Sequence, residues 1–96
     1  MISVHSVDGF QSDLNGWYCY LEDESGNQVA TIEIDDRIAH CYLTRSDINT
    51  EFDFNGFDKD DDDLIDYVNE ALFLSVNWIV DVKLINQLID VAFQDY

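Results

Sequence analysis

Carboxylates are the one chemically active group that this sequence concentrates. Residues 58–63 read Asp58-Lys59-Asp60-Asp61-Asp62-Asp63, and Asp66 and Glu70 follow. On a helix, Asp58, Asp62, Asp66 and Glu70 recur every four residues and share one face. Each step rises about 6 Å, an interval similar to that between successive phosphates of a nucleic-acid strand. The spacing therefore predicts a scaffold that holds carboxylates where phosphates would sit. A solvated helix start, favoured by acids at the positive end of the helix dipole, is the plainer reading of the same run. The acids do not stop there, however. Glu22, Asp23 and Glu24 fall at an expected hairpin tip, Asp35 and Asp36 at the next turn, and Asp47, Glu51 and Asp53 on the segment after it. That spread favours a surface used for binding.

Other chemistries fit less well. Asp58, Asp60 and Asp62 match the first three ligand positions of a calcium-binding EF-hand loop, and Ile65 suits its apolar eighth position. The match then fails, because Asp63 replaces the turn glycine and Asn69 the bidentate glutamate. His5 and His40 are the only histidines. A His40–Cys41 nucleophile pair fails because neighbouring residues of a strand point to opposite faces. There is no Gly-rich phosphate loop, no His/Cys ligand cluster, and no carboxylate pair at a recognisable glycosidase position. The sequence predicts a protein that is not an enzyme, with no catalytic residues, metal site or cofactor.

Charge narrows the partner. Twenty-one acids face four Lys and Arg, giving a formal net charge of −17 in 96 residues. Solubility of a small domain needs a magnitude of only about 2 to 8, and the surplus destabilises a compact state by self-repulsion. A field kept at that cost selects basic proteins or cations. Nucleic acid and anionic membranes would be repelled as direct partners.

The elements that must carry these acids change character near residue 57. Apolar residues make up 47% of the chain and aromatics 14%, too rich for a disordered acidic tail. Asp8-Gly9, Asn15-Gly16, Ser25-Gly26-Asn27 and Asn55-Gly56 read as turns. Between them, Trp17–Leu21 and Val29–Ile34 form a predicted hairpin, followed by strands over Ile38–Thr44 and Thr50–Phe54. Ile2–Val7 adds an edge strand. Ala30, Ile32 and Ile34 point one way and Val29, Thr31 and Glu33 the other. Tyr18 and Tyr20 alternate away from Trp17, Cys19 and Leu21, forming either an exposed strip or a second face under helices. After Phe57 the period becomes helical, with Leu64, Val68, Ala71, Leu72, Ser75 and Ile79 on one stripe and Val82, Ile85, Leu88, Ile89, Ala92 and Phe93 continuing it. One helix over 61–94 would span about 50 Å, so two helices are expected; the pattern leaves open whether Asn77 is the break. Trp17, Phe73 and Trp78 are expected in the core. The prediction is a single α+β domain over 1–96: an antiparallel sheet of three to five strands with two C-terminal helices packed on one face. Cys19 and Cys41 read as buried reduced thiols, with a cross-strand disulfide the alternative for a secreted chain. The start MISVHSVDGF lacks a leader pattern, and no window is long enough to span a membrane, which reads as cytoplasmic.

A compact scaffold displaying carboxylates over helix and loops resembles the acidic DNA-mimic proteins of bacteriophages and mobile elements, the anti-restriction and anti-CRISPR type. The resemblance implies a non-catalytic inhibitor that occupies the surface of a basic nucleic-acid-binding protein, using Asp58, Asp62, Asp66 and Glu70 against phosphate-holding Lys and Arg. An immunity or antitoxin protein that neutralises a basic nuclease toxin is the alternative. A third reading is a plain interaction domain, homodimeric through its apolar C-terminal helix.

Overall fold

The computed structural model describes residues 2–14, 16–45, 49–76 and 78–94. Asn15, Asp47, Asn77 and Tyr96 lie outside the described residues, as do the side chains of Phe73 and Ser75.

Alternating apolar residues build four consecutive antiparallel strands: β3 (Gly16–Asp23), β4 (Gln28–Asp35), β5 (Ile38–Leu43) and β6 (Asn49–Asp53). Cys19 pairs with Ile32 and Ile32 with Cys41; Ala39 pairs with Phe52. All five side chains are therefore on one face, and all are buried. Asp36 and Arg37, with φ of 51° and 65°, close a two-residue turn between β4 and β5. Both residues in the left-handed region is the geometry whose twist matches the flanking strands. At the start of β3, Gly16 has φ 135°, and an added Cβ would come within 2.3 Å of the Ile34 carbonyl oxygen. Only glycine fits there.

Three further strands enlarge the sheet. β1 (Ile2–Ser6) pairs antiparallel with β3, β2 (Gln11–Asp13) pairs with another stretch of β3, and β7 (Trp78–Val80) pairs parallel with β1. The main order is β6-β5-β4-β3-β1-β7. The α+β class is as expected, but among the described residues the sheet has seven strands rather than three to five and is not purely antiparallel. Ile2–Ser6 is an inner strand, not an edge. Two physical causes explain the shortfall. Gln11-Ser12-Asp13 has no apolar signal. Trp78-Ile79-Val80 sits between helical segments, so its residues fit the helical period by coincidence. Ile79, expected on a buried helical stripe, is 52% exposed on a strand.

The two helices are α1 (Leu64–Val76) and α2 (Val82–Ala92). α1 packs against β6, β7 and α2, and α2 reaches β4. Leu64, Val68 and Leu72 of α1 recur every four residues and are buried, as are Leu84, Ile85, Leu88, Ile89 and Ala92 of α2. Burying each large aliphatic side chain contributes about 1.5–3 kcal/mol. Asp81 caps α2, its Oδ1 accepting from the Lys83 N–H at 2.9 Å. Trp78 is buried as expected, and Trp17 is half-buried against the same core. Among the described residues no helix is long and apolar enough to cross a membrane.

Candidate interaction surface

The acidic run does not form the expected helical row. α1 begins only at Leu64, so Asp58, Asp60, Asp61, Asp62 and Asp63 lie in turns before it. The Asp58 N–H donates to Asp61 Oδ2 at 2.9 Å, and the Asp61 N–H donates to the Asp58 carbonyl at 3.0 Å. Aspartates compete for the backbone in this way and stabilise turns over helix, and like charges four apart oppose the helix further. Only Asp66 and Glu70 share a helix face. The Lys59 ammonium lies 3.3 Å from Asp90 of α2, an exposed pair that contributes little.

Apart from Glu51, which lies at the middle of β6, the remaining predicted acids among the described residues separate to the two ends of the sheet. Glu22, Asp23 and Glu24 mark the β3–β4 end; Asp35, Asp36 and Asp53 mark the other, about 23 Å away along eight-residue β4. The 58–63 turns leave from this second end, where the Phe54 N–H donates to the Arg37 carbonyl at 2.9 Å. Three of these carboxylates are engaged by their own turns. Asp23 Oδ1 accepts from the N–H groups of Asn27 and Ser25 at 3.0 and 2.9 Å. Those bonds, the Asn27 backbone bond foremost, hold its carboxyl below the ordinary range. Asp53 Oδ1 accepts from Asn55 N–H and Nδ2, and Asp61 serves Asp58. The Glu22 carboxylate lies 3.1 Å from His5 Nε2.

The sheet face turned away from the helices carries what the acid count overlooked. Register places Glu33, His40 and Glu51 side by side on β4, β5 and β6, and Asp35, Ile38 and Asp53 in the next row. Glu33, Asp35, Glu51 and Asp53 are all exposed. They form a two-by-two array, about 6.7 Å along each strand and about 9.6 Å across. Along each strand the interval is close to the step of about 6 Å expected of a helical row. Tyr18 pairs with Glu33, and Tyr20, Thr31 and Tyr42 form the row beyond. Tyr20 and Tyr42 are 43% and 41% exposed, so the tyrosines form an open strip and are not covered by helices. Tyr18 meets Tyr20 edge-on at 5.6 Å, and His40 stacks on Tyr42 at 5.9 Å. A shallow cavity of about 540 Å³ opens here, lined by Tyr18, Tyr20, Thr31, Glu33, Asp35 and His40 among others. The alternation of Tyr18 and Tyr20, and of His40 and Tyr42, was visible in the sequence; the register that joins them was not.

No family model matches the chain, and no curated protein or solved structure is significantly similar to it.

His40 faces outward while Cys41 is buried, so the two do not meet. Cys19 and Cys41 are free and are separated by β4. Two strand spacings put them about 9.6 Å apart, beyond the roughly 7 Å a disulfide tolerates. Burial pushes the Cys19 thiol up to about 11 and the Cys41 thiol up to about 12. Among the described residues, no three His, Cys, Asp or Glu side chains converge as metal ligands.

Proposed function

We propose that this protein is a non-catalytic inhibitor that occupies the nucleic-acid-binding surface of a basic protein. The observation that carries the proposal is the display of a net charge of −17 on the outside of a folded scaffold. No charged side chain is buried among the described residues. The array of Glu33, Asp35, Glu51 and Asp53 offers carboxylates at intervals suited to Lys and Arg that otherwise hold phosphates. Asp60, Asp62 and Asp63 extend the same field, which steers association and strengthens as salt is lowered.

The exposed Tyr20 and Tyr42 favour a second reading, an immunity-type protein that blocks a basic nuclease toxin through a shape-specific contact. Affinity capture from a bacterial lysate, with mass-spectrometric identification and elution by duplex DNA, separates the two. The inhibitor reading expects a nucleic-acid-binding protein that DNA releases. Retention of the captured protein despite excess DNA would overturn it in favour of the second.

A further inference from the structure

The outer sheet face has a shape as well as a charge. Thr31 and Glu33 of β4 form a floor between two aromatic walls, Tyr18 and Tyr20 of β3 on one side and His40 and Tyr42 of β5 on the other. The strands bearing the walls are about 9.6 Å apart, and the small Thr31 keeps the floor low between Tyr20 and Tyr42. Glu33 stands between Tyr18 and His40, with Asp35 two residues further along the floor and Glu51 beyond His40. The cavity takes in Tyr18, Tyr20, Thr31, Glu33 and His40, with Tyr42 flanking it on β5, and no Lys or Arg lines it among the described residues.

We propose that this trough is an arginine-binding site, taking guanidinium side chains from the basic partner. The inference rests on the proposed binding to such a partner and names both the side chain recognised and the surface that recognises it. A guanidinium is planar, weakly hydrated and able to stack on rings while pairing with a carboxylate through two N–H groups. An ammonium is compact and strongly hydrated, and gains less from the same walls. Aromatic walls over an acidic floor therefore discriminate arginine from lysine, which a bare field of carboxylates does not. Charge complementarity alone would place a partner on any acidic turn; the rings place its arginines on β3–β5.

The test uses the full-length, ¹⁵N-labelled protein titrated with nonaarginine and with nonalysine at physiological salt. Nonaarginine is expected to bind several-fold more tightly, with amide shifts centred on residues 18–20, 31–33 and 40–42. Tyr20→Ala with Tyr42→Ala should weaken nonaarginine binding by about tenfold, corresponding to two exposed cation–ring contacts, and should leave nonalysine nearly unchanged. Tyr20→Phe with Tyr42→Phe keeps the rings and should keep the preference, which distinguishes recognition from loss of fold. Equal affinity for the two peptides, or shifts confined to 58–70, would sink the arginine site while leaving the basic-partner reading intact. Failure of both peptides to bind would overturn both.

Discussion

The Tyr67 hydroxyl clasps the backbone of Asp53: it accepts from the Asp53 N–H at 3.0 Å and donates to the Asp53 carbonyl at 3.3 Å. Helix α1 is thereby tied to edge strand β6 where the acidic turns begin. The ring itself packs on Phe57 at 4.9 Å and edge-on to Phe54 at 6.1 Å. Tyr67→Phe keeps the ring and removes only the clasp. The expected loss is about 1 kcal/mol, seen as a melting temperature lower by roughly 4–8 °C, with faster hydrogen exchange at the Asp53 amide.

Asp23 organises the β3–β4 turn as a carboxylate, and its folded pKa is lowered. A lowered pKa means stabilisation that is present above the unfolded value of about 3.9 and lost as pH falls through the folded value. Asp23→Ala should melt below the parent protein at pH 7, and the gap should close progressively in acid below pH 4. A gap independent of pH would show that the turn does not depend on the ionised carboxylate.

Net charge predicts an unusual salt response. Repulsion among surface carboxylates opposes folding, and raising ionic strength from about 0.01 M to 0.1 M shortens the screening length from about 30 to 10 Å. The melting temperature should rise over that range, measured by circular dichroism in sodium chloride. Partner binding should weaken over the same range.

The two thiols should be silent in the native state. Burial keeps them protonated, and the thiolate is the reactive form. Ellman's reagent at pH 8 should report no thiol in the folded protein and two in denaturant. A mass unchanged by reductant would agree with the strand separation of Cys19 and Cys41.

Neutralising Asp60, Asp62 and Asp63 to Asn separates the two acidic regions. These side chains are exposed and engage no group among the described residues. Thermal stability should hold or rise. Affinity for the basic partner should fall moderately, with a shallower salt dependence, while any preference for arginine stays.

Much of the fold was legible because period-two alternation in Val29–Ile34 and Ile38–Thr44 is a strong local signal, and both strands appear within a residue or two of their expected limits. β2 and β7 were not legible, since three residues carry no period: β2 has no apolar residue although it lies one tight turn from its partner β3, and the partner of β7 lies far away in sequence. The acidic helical row failed for a local reason: the Asp61 carboxylate takes the Asp58 N–H in a turn, and the helix begins only at Leu64. The candidate surface was half legible. Glu51, Asp53 and the alternating tyrosines stood out, but only the pairing of β5 with β4 on one side and β6 on the other brings Glu33, His40 and Glu51 into one row.

Competition with nucleic acid tests the central claim most directly. Fluorescently labelled duplex DNA is bound to the captured basic partner, and this protein is titrated in while anisotropy is followed. Inhibition by occupancy predicts full release of the DNA, with an apparent affinity that falls in proportion to added unlabelled duplex. A ternary complex that keeps its DNA at saturating protein would contradict it.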